Sequence, residues 1–200
     1  MEEAERLLQR QNILQREAQA LVSELNILSL LSDTVRIHGS SVLGLMTWRD
    51  IDIAISGQRL NIEQVYKIMQ PLLTHPRVKQ VRYLNESGSF NSTGLSHDER
   101  YYFMLLYDSG AESDWKIDIS FWLEEGIRSE PIHDMVEQKL TPETRLAILR
   151  IKDIWWKQPS YRQEVSSVDI YDAVLQHGVR TLDKFDEYLI ERGKPTRTSA

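Results

Sequence analysis

The chain has 200 residues and a formal net charge of −6, with 41% hydrophobic residues and no cysteine. The hydrophobic content is enough for the core of one domain or two small ones, which excludes a disordered chain. The lack of cysteine excludes disulfides, thiolate metal sites and thiol nucleophiles. No apolar run is long enough to cross a bilayer, and the acidic, amphipathic start is unlike a secretory signal or transit peptide. Together these properties predict a cytoplasmic protein without a membrane partner.

The excess of acidic over basic residues also limits the class of molecule that the protein can bind. A protein that follows a nucleic-acid backbone needs a stripe of Lys and Arg, because neutralising phosphates supplies most of the affinity. The sequence contains no such cluster of basic residues. It therefore predicts a small partner molecule and no nucleic-acid polymer, and it leaves the oligomeric state open.

The first half of the chain predicts one long helix, then strands and a second helix. Leucines recur every seven residues from Leu7 to Leu28, which predicts a helix over 2–31 that packs on the sheet, with a coiled-coil partner as the alternative. Asn61 and Gln64 form the pattern of a capping box, for a helix that ends near Leu73. The polar segment 85–99 predicts a loop or a loose hairpin. Alternating apolar residues predict strands over 34–38, 50–56, 78–84, 101–107 and 115–123.

The second half predicts helices only. Thr141 and Pro142 are typical of a helix cap and first turn, and that helix should end near Trp156. Two further helices are predicted over 167–176 and 179–191. The order of elements predicts an α+β fold with a mixed sheet, a long N-terminal helix and a C-terminal helical part. The predicted divisions are a core over 1–135, a helical part over 136–192 and a disordered tail over 193–200.

The segment VRIHGSSVLGLMTWRDIDIAIS, residues 35–56, is the most informative part of the sequence. In its second half, three isoleucines alternate with Asp50, Asp52, Ala54 and Ser56, so the two aspartates share one strand face with their Cα atoms about 7 Å apart. Two carboxylates this close repel each other unless a cation lies between them. Mg²⁺ typically binds one or two carboxylates together with substrate phosphates. The alternative is a solvated strand face that binds no metal.

Upstream of the aspartates, Gly39 and Ser40 end the first strand and begin a segment that can form a helical turn. Such a turn presents backbone N–H groups to a phosphate. A phosphate-binding turn and Mg²⁺-binding carboxylates together are what phosphoryl or nucleotidyl transfer requires.

This spacing, HGS followed by nine residues and DID, resembles the signature of the DNA polymerase β-like nucleotidyltransferase superfamily. Within it the chain is most similar to the small antibiotic nucleotidyltransferases. The motif covers Ile37 to Ile53, and the pattern of strands and C-terminal helices extends the likeness loosely to most of the chain. The resemblance implies a mixed-sheet nucleotidyltransferase core. It also implies an enzyme that transfers a nucleoside monophosphate from a nucleoside triphosphate such as ATP to a hydroxyl of a small acceptor.

The resemblance further implies Mg²⁺ as cofactor and a third carboxylate on a later strand. Asp118 in WKIDISFW is the candidate, because it alternates with the apolar residues of its strand, whereas Asp108 and Asp114 border a turn. Asp50, Asp52 and Asp118 are thus the predicted catalytic and metal-binding residues, with Asp118 also as general base. The predicted nucleotide-binding residues are Gly39, Ser40 and Lys152. An aminoglycoside-like or lincosamide-like acceptor is implied by the family alone.

The chain departs from the family in one respect. Many members carry a basic residue before the glycine of the spacer, where this chain has Leu43 before Gly44. Positive charge near the phosphates must then come from Arg36, Arg49, Lys116 or Lys152. Two alternative functions stay open. An antitoxin-type enzyme would attach AMP to a partner protein, which the helical segment 141–191 disfavours, and a non-catalytic nucleotide-binding module would not need all three carboxylates.

Overall fold

A computed structural model of the chain describes residues 2–30, 35–56, 60–124 and 131–198. Its strands are β1 (Val35–His38), β2 (Asp50–Ile55), β3 (Val78–Glu86), β4 (Arg100–Tyr107) and β5 (Trp115–Trp122). Its helices are α1 (Glu3–Glu24), α2 (Ile27–Leu30), α3 (Ser40–Leu43), α4 (Ile62–Leu73), α5 (Pro131–Lys139), α6 (Pro142–Trp155), α7 (Ser167–Leu175) and α8 (Leu182–Glu191). Two short 3₁₀ turns, Gly88–Phe90 and Ser96–Asp98, lie in the predicted loop between β3 and β4. The predicted α+β class with a mixed sheet is confirmed.

The five strands form one sheet in the order β1-β2-β5-β4-β3. β2 and β5 are parallel, and the other neighbouring pairs are antiparallel. In the parallel pair, Asp52 lies directly opposite Asp118. Since residues opposite each other on adjacent strands point to the same side of a sheet, this register places both carboxylates on one face.

The chain forms two compact units. The sheet unit comprises Gln15–Val42 and Arg49–Ser129, and the helical unit comprises Met1–Leu14, Leu43–Trp48 and Glu130–Ala200. The first part of α1 belongs to the helical unit and its second part to the sheet unit. These units are interleaved in sequence, whereas the predicted core and helical part are contiguous, so the division at 135 stays a prediction.

One face of the sheet is apolar and fully buried. Each isoleucine buried there contributes roughly 1.5–3 kcal/mol relative to exposure, so this face dominates the stability of the unit. From α4, the Tyr66 ring lies 5.8 Å from that of Phe103, and from α1, Glu24 accepts a 2.8 Å hydrogen bond from the Tyr107 hydroxyl. The buried residues include Ile51, Ile53, Phe103, Leu105, Ile117 and Ile119, each at most 1% exposed. The charged residues of β2 and β5 therefore lie on the opposite face.

The helical unit has its own apolar core around α6, α7 and α8. Trp155 and Phe185 are fully buried there, with their rings in an edge-to-face contact at 5.4 Å. Thr141 caps α6 by accepting a hydrogen bond from the backbone N–H of Thr144, and Pro142 occupies the first turn, as predicted. At α4 the predicted capping box of Asn61 and Gln64 is also present.

The N-terminal helix is shorter than predicted. α1 ends at Glu24, and Asn26 has a φ of 50°, a left-handed conformation that ends a helix. Leucines of the predicted stripe up to Leu21 are buried, but Leu28 in α2 is 55% exposed because it lies beyond this break. The predicted helix end at 31 lies outside the described residues.

Other differences concern the C-terminal part. α5 occupies the region that the sequence predicted as a boundary, and α8 begins at Leu182, three residues later than predicted. The described part of the predicted disordered tail is held by ion pairs, from Lys194 to Asp169 at 2.6 Å and from Arg197 to Asp186 at 2.7 Å. No helix in the described ranges is both long and apolar enough to cross a membrane.

Candidate active site

Asp50, Asp52 and Asp118 form one cluster on the polar face of the sheet. Each offers a carboxylate oxygen that lies within 4.8 Å of those of the other two. The alternation of β2 places Asp50 and Asp52 on one face, and the parallel register with β5 adds Asp118 beside them. The side chains of Asp50 and Asp118 are 14% and 18% exposed, so the cluster is largely withdrawn from water.

Lys116 lies within the same cluster. It is the register partner of Asp50, and its ammonium lies 3.3 Å from Asp50 Oδ1 and also contacts Asp118. Burial acts to lower the pKa of Lys116, but Asp50 and Asp118 raise it above its ordinary value overall. Lys116 therefore stays charged and offsets part of the repulsion between the carboxylates.

Gly39 connects the predicted phosphate-binding turn to this cluster. Its φ is +73°, and a Cβ at this position would lie 2.4 Å from Asp52 Oδ2. Only glycine combines the left-handed backbone with this close approach to Asp52. Ser40 follows at the first residue of α3 and is 6% exposed. The turn therefore lies against the carboxylate cluster, and the first N–H groups of a helix have no partner within that helix.

The donor set fits a hard divalent cation. Two ligand oxygens on one Mg²⁺ lie up to about 4.2 Å apart, since each bond is roughly 2.1 Å long, so oxygens within 4.8 Å need only a small adjustment. In the described part of the chain, Asp118 Oδ1 is buried and has no hydrogen-bond partner. A buried carboxylate oxygen without a donor is costly unless a cation binds it.

The electrostatics of the cluster are visible in the pKa of Asp50. The pKa of this carboxyl is raised from an ordinary value of 3.8 to about 7, chiefly by burial and then by the charges of Asp52 and Asp118, while Lys116 acts to lower it. On the neighbouring strand β4, burial and then the charge of Asp118 raise the pKa of the Tyr102 hydroxyl, so Tyr102 remains a hydrogen-bond donor at neutral pH.

The raised pKa of Asp50 predicts how the stability of the metal-free protein depends on pH. Between about pH 4 and 7 the unfolded chain has lost the Asp50 proton while the folded chain keeps it, so the free energy of unfolding falls as pH rises. Asp50→Asn removes this dependence, and at pH 8 with EDTA it should be more stable than wild type by on the order of 2 kcal/mol. Urea unfolding at pH 4 and pH 8 measures both effects.

Asp108→Asn is the matched control for that prediction. The backbone N–H of Gly110 lowers the pKa of Asp108, so this carboxyl stabilises the fold when ionised. The Asp108 variant should therefore be less stable than wild type at pH 8, the opposite sign. If the free energy of unfolding depended on pH equally in wild type and Asp50→Asn, ionising Asp50 in the folded protein would cost no stability, which would contradict the prediction.

The predicted nucleotide contact Lys152 lies in the helical unit. It is 1% exposed, and its ammonium donates hydrogen bonds to the Leu45 carbonyl at 3.1 Å and to the Tyr171 hydroxyl at 3.4 Å. Its role as a nucleotide contact stays a prediction, as do the nucleotide contacts of Gly39 and Ser40. Arg49, another candidate for positive charge, pairs with Glu17 at 2.9 Å.

Three residues near the cluster were not singled out from the sequence. Tyr102 and Arg100 on β4 and Trp122 on β5 share the polar face of the sheet. The signal was the alternation in RYYFMLLY and WKIDISFW, which places every second residue on this face. The strand order that brings β4 beside β5 was needed to see them together.

The fold is that of a nucleotidyltransferase core: a mixed sheet with three aspartates on two adjacent parallel strands. No protein-family model matches the chain, and no curated protein sequence is significantly similar to it. Solved structures are similar in fold. The Cid1 poly(U) polymerase with Mg and 3′-dATP bound aligns with a TM-score of 0.53 and 15% identity, covering 82% of this chain and 49% of that one.

Two further solved structures show the same level of similarity in fold. A cytoplasmic RNA terminal U-transferase aligns with a TM-score of 0.52 and 14% identity, covering 82% of this chain and 49% of that one. A mutant of Cid1 bound to MgATP aligns with a TM-score of 0.56 and 14% identity, covering 88% and 55%. The chain therefore spans about half the length of the solved chains it matches. At 14–15% identity, these likenesses show a shared fold.

Proposed function

We propose that this protein is a Mg²⁺-dependent nucleotidyltransferase of the cytoplasm. It moves a nucleoside monophosphate from a nucleoside triphosphate, such as ATP, to a hydroxyl group of a small acceptor. The observation that carries the proposal is the cluster of Asp50, Asp52 and Asp118, with oxygens within 4.8 Å of one another and the Gly39 turn against Asp52. Metal-binding carboxylates beside a phosphate-binding turn are the combination that nucleotidyl transfer requires.

The three aspartates hold the metal in this proposal. Bound Mg²⁺ would neutralise charge on the triphosphate as it develops during transfer. The turn at Gly39 and Ser40 binds the terminal phosphates through backbone N–H groups. Lys116, which contacts Asp50 and Asp118, keeps these carboxylates in place and lowers the net negative charge that the nucleotide meets.

Asp118 acts as the general base. It takes the proton from the acceptor hydroxyl, whose oxygen forms a bond to the α-phosphorus. The bond between the α-phosphorus and the bridging oxygen breaks at the same time, and pyrophosphate leaves on the side of the Gly39 turn. Asp118 suits this role because it lies on β5, farther from the Gly39 turn along the sheet than Asp50 and Asp52 on β2.

The choice of acceptor rests on charge. The net charge is −6, and the polar face of the sheet carries the acidic cluster itself, which disfavours a long polyanion. A small hydroxylated molecule, of the aminoglycoside or lincosamide type, is more compatible with this negative electrostatic potential than a polyanion is. The second candidate is transfer to the end of an RNA chain. It is favoured by the fold, which is shared with a poly(U) polymerase and an RNA terminal U-transferase.

A direct assay separates these candidates. The protein is incubated with Mg²⁺ and each α-³²P-labelled nucleoside triphosphate, together with kanamycin A, lincomycin or a 15-nucleotide RNA. Transfer of label to kanamycin A or lincomycin supports the small acceptor. Label on the RNA alone supports the second candidate, and label on neither, with no pyrophosphate released, contradicts nucleotidyl transfer to these acceptors.

The site predicts that metal and nucleotide bind cooperatively. Without metal a triphosphate meets three carboxylates, whereas Mg²⁺ compensates the charge, and ligands that bind only the folded state stabilise it. Mg²⁺ with the preferred nucleoside triphosphate should raise the melting temperature by more than the sum of the separate shifts. Thermal-shift measurements with all four nucleoside triphosphates test this, and purely additive shifts for every nucleotide would contradict the proposal.

Two variants locate the phosphate contact. Ser40 is the first residue of α3, a position where proline fits the helix but lacks the N–H group. Ser40→Pro should therefore remove most of the cooperative shift, while Ser40→Ala, which loses only the hydroxyl, should keep a larger part of it. Equal shifts in wild type and Ser40→Pro would rule out this N–H group as a phosphate ligand.

A further inference from the structure

We propose that the polar face of β4 and β5, next to Asp118, binds the acceptor, and that it selects a small molecule with hydroxylated rings. The surface, which we call the acceptor face, consists of Arg100, Tyr102, Ser120 and Trp122. The inference rests on the proposed function, because it locates the second substrate of that reaction.

The order of the strands gives the direction from which the acceptor arrives. The Gly39 turn follows β1, the pair Asp50 and Asp52 lies on β2, and Asp118 lies on β5. In phosphoryl transfer the attacking and leaving oxygens are roughly in line on opposite sides of the phosphorus. If pyrophosphate leaves toward β1, the attacking hydroxyl must come from the side of β5 and β4. Of the strands that the structure describes, β4 and then β3 lie on that side of the sheet.

The strand register places the acceptor face beside the general base. Ser120 and Trp122 alternate with Asp118 along β5, so all three point to the same side. Tyr102 is the partner of Ser120 across the sheet, and Arg100 is the partner of Trp122. The side chains of Arg100, Tyr102 and Trp122 are partly exposed. The face therefore extends from Asp118 along both strands.

Arg100 holds the acceptor face together. Its guanidinium carbon lies 4.9 Å from the centre of the Tyr102 ring and 5.0 Å from that of Trp122. Its Nε donates a 2.5 Å hydrogen bond to Glu86, and its Nη1 donates one of 3.0 Å to the Ser120 hydroxyl. These contacts fix two aromatic rings on a polar strand face and compensate the charge of the arginine. The ion pair with Glu86 leaves no net positive charge from this pair for binding phosphates.

A rigid pair of rings with little net charge defines the class of ligand. Aromatic faces offer large apolar contact area, and the polar atoms around them orient a ligand by hydrogen bonds. Trp122 is four residues beyond Asp118, which places it about 13 Å along the strand, and Tyr102 is closer. An acceptor that reaches both rings while one hydroxyl lies at Asp118 therefore contains two or three linked rings. A neutral or cationic glycoside has this size and these groups.

The test measures acceptor and nucleotide separately. With kanamycin A and lincomycin as probes, Tyr102→Ala and Trp122→Leu should each raise the acceptor KM by about tenfold or more, which is the loss of roughly one stacking contact. The KM for nucleotide and the cooperative thermal shift with Mg²⁺ should not change. Trp122→Phe keeps an aromatic ring and should stay within about threefold of wild type. This conservative variant also separates a lost contact from lost folding.

Arg82→Ala is the matched control. Arg82 is exposed on β3 and is the partner of Met104, so it shares the polar face but lies on neither of the two strands that carry the acceptor face. This variant should leave transfer to kanamycin A and lincomycin unchanged. The inference would be overturned in favour of a polyanionic acceptor by transfer of label to a 15-nucleotide RNA, if that transfer weakened in Arg82→Ala and fell steeply as the salt concentration rose.

The remaining outcomes are also decisive. Unchanged acceptor KM in both Tyr102→Ala and Trp122→Leu overturns the placement of the acceptor. If calorimetry finds no binding of either probe up to millimolar concentration while the Mg²⁺–nucleotide shift persists, the ligand class is wrong and the nucleotide half of the proposed function stands. If that shift is absent as well, the proposed function itself fails, and the inference fails with it.

Discussion

Asp52→Asn is expected to lower kcat for nucleotidyl transfer by about a thousandfold or more, because in the proposed function Asp52 is a ligand of the metal that also binds the phosphates. The fold should remain intact. Asp52 belongs to a like-charged cluster with oxygens within 4.8 Å, so removing its charge relieves repulsion. The metal-free variant should therefore melt at the same temperature as wild type or slightly higher. Initial rates at saturating substrate and thermal melts in EDTA measure the two effects.

Asp114→Asn is the control for this substitution. Asp114 lies just before β5 and pairs with Lys79 at 2.8 Å, away from the cluster. The pair is at the surface, so its loss should change the melting temperature little and leave kcat unchanged. If Asp52→Asn lost activity together with a large drop in melting temperature, Asp52 would be a structural residue. If it kept activity, the cluster would not be catalytic.

Gly39→Ala should be strongly damaging although it adds only one methyl group. The new Cβ would lie 2.4 Å from Asp52 Oδ2, so either the turn or the carboxylate must move. The φ of +73° adds strain of about 1–2 kcal/mol for any residue with a Cβ. We expect kcat/KM to fall by about a hundredfold or more, because displacement by an ångström is enough to disrupt a transfer geometry.

Gly110→Ala separates the two causes. Gly110 has a φ of +72°, almost the same as Gly39, but no atom lies within 4 Å of a Cβ built there. Both variants should lose similar stability from backbone strain, whereas only the Gly39 variant should lose Mg²⁺–nucleotide binding. Equal activity in the two variants would mean that the approach of Gly39 to Asp52 has no part in the reaction.

The sequence predicted the site best where the two-residue repeat of a strand determined which side chains share a face. The alternation of DIDIAIS placed Asp50 and Asp52 on one face, and the same pattern in WKIDISFW pointed to Asp118. Their convergence could be proposed only from the family resemblance, because alternation does not say which strands are neighbours. The parallel register of β2 and β5 is a tertiary property.

Features that depend on single backbone angles or distant contacts could not be predicted. The end of α1 is determined by the left-handed Asn26, which interrupts a leucine pattern that continues in the sequence. The burial of Lys152 depends on contacts with Leu45 and Tyr171 that are far from it in the chain. Asn61 and Thr141 were predictable, because a cap and its partner lie only three residues apart.

The parallel pairing of β2 and β5 has a consequence for biosynthesis. Asp50 and Lys116 are 66 residues apart in the chain, so the cluster forms only when a long loop closes, and closure of distant segments is slow and costs conformational entropy. A nascent chain that has emerged from the ribosome only as far as β4 contains two of the three carboxylates and lacks the strand that aligns them. Such a chain has no three-carboxylate cluster for the ion. In the proposed function, metal affinity is therefore acquired only when β5 has joined the sheet, and it distinguishes chains that have reached that stage.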